Sequence, residues 1–121
     1  MSADIQIERV SYAPGELLRA KVQLLPLAAH ETRRVELAVL WETEGKGDTD
    51  QGVILYRVLS EGDPQAGTAE HEVEVTLPAL PLSYDGSIVK VGWRVRVRRL
   101  APFGADGITD EPLLLTWGET G

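Results

Sequence analysis

The sequence predicts an all-β fold, a sandwich of two sheets with about seven or eight strands, and three observations carry that prediction. The first is the stretch Ser87 to Leu100, in which Val89, Val91, Trp93, Val95 and Val97 alternate with Lys90, Arg94, Arg96 and Arg98. A strand puts successive side chains on opposite faces, so this pattern makes one apolar and one basic face, whereas a helix would scatter the charges around its circumference. The second is that no segment keeps apolar residues at a 3.6-residue period for three turns. The third is that short alternating runs arrive at intervals punctuated by Gly and Pro, as in β-sandwiches.

Taken in order, Ile5 and Ile7 alternate with Gln6 and Glu8 in a first strand, and Val10 breaks the phase, which predicts a bulge or bend before the Pro14-Gly15 turn. Leu18, Ala20, Val22 and Leu24 form the apolar side of a second strand, stopped by Pro26, which has no N–H for a ladder. Leu27 to Thr32 is a connection. Val35, Leu37, Val39 and Trp41 face inward from a third strand, which leaves Glu36, Ala38, Leu40 and Glu42 outward.

The polar run Thr43 to Gly52 predicts an exposed hairpin loop or a ragged continuation of the two strands it joins. Val53 to Leu59 is apolar on both faces and needs cover on both. In a register that puts Ile54, Tyr56 and Val58 inside, Val53 and Leu55 face out. After a turn at 61–67, Val73, Val75 and Leu77 alternate with Glu72, Glu74 and Thr76. Pro78 and Pro81 hold residues 78–85 as an extended crossing, and Asp85-Gly86 turns into the long strand. Pro102 to Pro112 reads as a loop rich in Gly and Asp, and Leu113, Leu115 and Trp117 as a last strand.

A chain of 121 residues is about one domain long, so residues 1–121 are expected to share one core, aliphatic in character with Trp41 and Trp93 as its bulky pieces. No cysteine is present, which removes disulfide, thiolate-metal and thiol-nucleophile chemistry. The segment Met1 to Val10 has no basic region followed by an apolar run, and no stretch approaches the roughly 20 apolar residues of a spanning helix. A cytoplasmic protein without membrane insertion is expected. A formal net charge of −7 opposes binding to nucleic acid and anionic lipid.

Two stretches resemble the arrestin family: Val10 to Val22 (VSYAPGELLRAKV), with its Tyr-x-Pro-Gly-Glu turn before an alternating strand, and Leu77 to Val97, with a leucine-proline approach, a Ser-Tyr-x-Gly turn and a long strand bearing an aromatic. Their order and separation around two intervening strands add to the match. The resemblance implies an immunoglobulin-like, arrestin-like β-sandwich that binds proteins without catalysis. Arrestins join two such domains and use basic phosphate-sensing residues and an inter-domain polar core. No position here matches those elements, so the resemblance implies fold and broad role and no site residue.

Lys90, Arg94, Arg96, Arg98 and Arg99 form the basic concentration, and a row of arginines on a strand can contact phosphates. The outward Glu36, Glu42, Glu72 and Glu74 favour neutralisation by cross-strand pairs instead, and no aromatics interleave for base stacking. Glu44, Asp48 and Asp50 gather carboxylates of the kind hard cations take, but without the spacing of a calcium loop and with Lys46 among them. His30 and His71 have neither a nucleophile setting nor a second histidine at ligand spacing. Glu72 and Glu74 project the same way from one strand, with nothing in the sequence to build a pocket around them.

These observations predict a non-catalytic scaffold without cofactor or metal, whose partner is another protein, a second copy of itself included. Leu40, Val53 and Leu55 are the expected partner-binding residues, since outward apolar side chains on adjoining strands need cover. The alternative is a small enzyme, or a ligand- or metal-binding protein, using the carboxylates of the 43–52 loop.

Overall fold

The computed structural model describes residues 3–24, 34–45, 49–61, 69–85, 89–100 and 107–116. Alternation produces strands β1 (Ala3–Ile7), β2 (Ser11–Tyr12), β3 (Leu17–Leu24), β4 (Arg34–Gly45), β5 (Gln51–Glu61), β6 (Ala69–Thr76), β7 (Tyr84–Asp85), β8 (Val89–Leu100) and β9 (Gly107–Leu115), with no helix among the described residues. Seven of these have five residues or more, while β2 and β7 are two-residue pieces. A small sheet has the order β1-β3-β6 and a large one the order β2-β9-β8-β4-β5, with β7 also paired to β8. The fold is therefore the expected all-β two-sheet sandwich.

The two sheets meet over the apolar phases of their strands. Leu18, Ala20, Val22 and Leu24 of β3 are buried with Val35, Leu37 and Val39 of β4 and Trp93, Val95 and Val97 of β8. Each such Val or Leu contributes about 1.5–3 kcal/mol by leaving water. Trp93 is 1% exposed, and its indole Nε1–H donates to the Pro81 carbonyl at 2.7 Å, so the extended segment that precedes β7 satisfies the one polar atom of the largest core side chain. The expected crossing at residues 78–85 lies outside the ladders up to Ser83 and then forms β7.

The phase break at Val10 marks a change of sheet. β1 pairs antiparallel with β3, the chain bends through 8–10, and β2 runs parallel to β9 in the other sheet. The polar side chains around that bend hold it. Arg9 N–H donates to the Tyr12 hydroxyl at 3.0 Å, the Arg9 guanidinium lies 4.7 Å from the centre of the Tyr12 ring, and Glu16 accepts the Ala13 N–H at 2.7 Å while pairing with Arg9 at 3.4 Å. Gly15 has φ of 86°, the left-handed region a Pro-Gly turn requires. The Ala13 N–H holds the Glu16 carboxyl below its ordinary 4.5; burial opposes this and Arg9 reinforces it.

Some expectations differ from the structure. Trp41 is half-buried, because it sits near the end of β4 opposite Gly52, where its indole lies against the backbone; a Cβ at residue 52 would run into Nε1 and Cε2 of that ring. The segment Gly107 to Pro112 is strand, since β9 starts at Gly107 and pairs with β8 from Arg99 onward. Its Ile108, Asp110 and Pro112 alternate outward, a pattern that Gly and Asp disguised as a loop. The polar run after Trp41 is a ragged continuation, with β4 reaching Gly45 and β5 starting at Gln51. The connection 27–32 with His30, and Trp117 in the expected last strand, lie outside the described residues.

Two measurements check this account. Trp93→Ala is expected to lower unfolding free energy by about 3–5 kcal/mol in urea titration, the range for deleting a large aromatic from a core, and a loss below about 1 kcal/mol would show that the register is wrong. For Glu16 the folded-state pKa is depressed, so its contribution is present above the ordinary 4.5 and fades as pH falls through the folded value. Glu16→Gln should therefore narrow its stability gap to the parent on acidification below pH 4.5; a gap independent of pH would rule out the charge as its source.

Candidate functional site: the outward face of the large sheet

The register of β5 against β4 decides where each expected contact residue points. Val39 faces Leu55 and Leu40 faces Val53, which leaves Ile54 as an extra residue; Val35 faces Ser60 and Glu36 faces Val58, which leaves Leu59 as another. At a bulge two residues oppose one, so the alternation restarts in the opposite phase. Ile54, Leu55 and Leu59 consequently pack against the core, while Val53, Tyr56 and Val58 lie on the outward side with 49%, 48% and 40% of their surface exposed. This corrects the expectation for Leu55, which points inward, and for Tyr56 and Val58, which do not. Val53 stands on the outer face as expected.

Leu40 is also on the outer face, opposite Val53 and Arg94, yet it is only 2% exposed. It stands apart from the buried cluster between the sheets, and together with Ala38 it lines a groove of about 280 Å³ bordered by Val53, Tyr56, Arg96 and Ile108. Leu40 is thus the floor beneath the surface rather than part of what a partner would touch. Ile108, 51% exposed, is a further outward apolar residue, whose strand the Gly and Asp around it disguise as loop. Farther along the same face, Tyr84 and Leu114 border a second groove of about 460 Å³ with Glu42, Glu44, Lys90 and Arg94.

The basic row is embedded in carboxylates. Arg96 makes a two-pronged contact with Asp110, at 2.8 and 3.1 Å, and also lies 3.8 Å from Glu42; Arg94 reaches Glu42 at 3.3 Å and Asp110 at 3.5 Å. These side chains are partly exposed, so each pair contributes about 0.2–1 kcal/mol. Asp110 raises the Arg96 pKa above its ordinary value. Arg34 contacts Glu36 at 3.0 Å, and the Tyr56 hydroxyl donates to Glu36 at 2.6 Å, a hydrogen bond that raises the phenol above its ordinary 10.0. Arg99 leaves the row: it belongs to the inward phase, is 8% exposed, and desolvation lowers its pKa. Glu72 and Glu74 pair with Lys21 and Arg19 on the small sheet rather than with this row.

Glu44 stands on β4 opposite Lys90, the Thr43 Oγ1 and Asp50 N–H close the hairpin at 2.7 Å, and Asp48 lies outside the described residues. Among the described residues no three His, Cys, Asp or Glu come together at metal-binding range, and no helix is long and apolar enough to cross a membrane. The inward position of Leu55 has a direct check. Leu55→Glu is expected to unfold the domain or lower its melting temperature steeply, because it puts a carboxylate among Val39 and its neighbours, whereas Val53→Glu should leave melting within a few degrees of the parent. Equal effects of the two substitutions would overturn the bulged register.

No protein-family profile matches the chain, and neither does any curated protein. Among solved structures it is similar to Spo0M, the sporulation control protein of Bacillus subtilis, with a TM-score of 0.62 and 17% identity over 94% of this chain and 48% of that one. The chain therefore spans about half the length of that protein, whose fold is arrestin-like. At such low identity the likeness concerns the fold: an all-β, arrestin-like sandwich of two sheets.

Proposed function

We propose that this chain is a member of the arrestin-like group acting as a non-catalytic protein-binding domain in the cytosol, and that it docks its partner on the outward face of the large sheet. The observation that carries this reading is the exposure of Val53, Tyr56 and Ile108 around one groove, with Val58 exposed on the same sheet face, whose neighbouring arginines already hold carboxylates. A half-exposed apolar group beside pre-paired charges suits a protein surface, which covers apolar area and leaves rim pairs intact. A phosphate-binding face would keep its arginines available, and catalysis would need convergent titratable groups in an enclosed site. Here the cations and carboxylates neutralise one another across strands.

The test is capture by the immobilised domain from extract of its native host. The parent should retain a discrete set of proteins that the pair Val53→Glu and Ile108→Glu loses, while Lys21→Glu, on the outer face of the small sheet, retains them. Titration with duplex DNA, RNA or anionic vesicles near physiological salt should show no saturable binding. Retention that is indifferent to the face substitutions, or tight polyanion binding lost with Arg94→Glu plus Arg96→Glu, would overturn the reading.

A further inference from the structure

We infer that the partner seated on this face is a second copy of the chain, in an isologous dimer that brings the outward faces of two large sheets together; the inference rests on the protein-binding reading above. Its basis is charge. By register, the outward positions of β4, β5, β8 and β9 carry Arg34, Lys90, Arg94, Arg96 and Arg98 against Glu36, Glu42, Glu44, Glu61 and Asp110, a balance of zero on a chain whose formal net charge is −7. The rest of the molecule carries the whole of that negative charge. Among the described strands, the outer face of the small sheet sets Asp4, Glu70, Glu72 and Glu74 against Arg19 and Lys21, so two copies approaching through it meet like charge, whereas through the large-sheet face the long-range repulsion is nearly absent.

The pattern on the face also suits a two-fold contact, in which one patch must be complementary to itself. Its arginines lie in a row on β8, flanked by carboxylates on β4 and β9, so a copy turned through 180° can set cation opposite anion. Val53, Tyr56, Val58 and Ile108 supply the apolar part, and the groove over Leu40 gives it relief. Size is adequate as well. Four strands about 4.8 Å apart and about ten residues long project on the order of 600 Å², and a corrugated face exposes more than its projection, close to the roughly 800 Å² per partner of a specific interface.

Sedimentation equilibrium of the purified chain over a wide concentration range tests this. The parent is expected to pass from monomer to dimer and no further, and Val53→Glu plus Ile108→Glu should weaken the dimer by at least about tenfold, as central contact residues do. Because that variant could fold poorly, dilution of the unmodified protein is followed in parallel by methyl NMR: signals of Val53, Val58 and Ile108 should move with concentration while that of Leu17, on the outer face of the small sheet, stays fixed. A monomer at every concentration would overturn the second-copy inference and leave the capture result standing, since a different protein would then occupy the face. A dimer whose dissociation is unchanged in a folded double variant, shifts that move at Leu17 instead, or growth beyond the dimer would each overturn it too.

Discussion

Twelve antiparallel pairs, from Arg34 opposite Leu100 to Gly45 opposite Val89, join β4 to β8 without a register shift, and this central ladder determines what its neighbours can do. With a side-chain period of two, one fixed register assigns both faces at once. It sets Leu37 beside Val97 and Val39 beside Val95 toward the small sheet, and Leu40 beside Arg94 and Glu42 beside Gly92 away from it. A slip of one residue would drive Arg94, Arg96 and Arg98 into the core, at several kcal/mol for each unpaired buried charge. The basic row is therefore a register lock as well as a surface, and the carboxylates of β4 and β9 keep it solvated and neutral.

Against that rigid centre, β5 has to reconcile a strand of nearly continuous apolar residues with a face that is open to solvent. Its two extra residues do this. Ile54 next to Leu55, and Leu59 after Val58, let consecutive apolar side chains turn inward instead of alternating, so the core gains cover at the sheet margin and only Val53, Tyr56 and Val58 remain outside. Tyr56 then extends its hydroxyl to Glu36 and Arg34, which keeps a large aromatic on the surface with its polar end satisfied.

The long unshifted strands were legible because alternation is a local signal: β3, β4, β6 and β8 lie where Leu18 to Leu24, Val35 to Trp41, Val73 to Leu77 and Val89 to Val97 put them. The two-sheet, arrestin-like fold was legible too. What was hidden depends on pairing between distant residues. A bulge has no residue code of its own, so the phase of β5 could be settled only against β4, and Leu55 changed faces with it. Likewise Ile108 and Asp110 follow a Gly-rich stretch that resembles a loop until Arg98 and Arg96 fix them in register. Leu40 was placed on the right face, but its cover by the side chains around it is a tertiary fact that no alternation pattern contains.

The edges of the two sheets bear on why a face is the available surface. Strand addition needs a long, regular, unpaired edge. Among the described strands, the small sheet ends in β1, five residues long, and in β6, which sets Glu70, Glu72 and Glu74 outward in succession. The large sheet ends in the two-residue β2 and in β5, whose regular run between bulges is only Leu55 to Val58. Short length, charge and bulges are the devices by which sheets resist pairing at their edges, since each interrupts the row of parallel hydrogen-bonding groups that a new strand would need. The outer face of the small sheet offers little more: its outward positions on β3 and β6 are polar apart from Leu17, with Arg19 and Lys21 engaged by Glu74 and Glu72. Among the described strands, exposed apolar side chains thus gather on the outward face of β9, β8, β4 and β5, so the bulges that deny β5 to an added strand also set Val53, Tyr56 and Val58 on the face left to a partner.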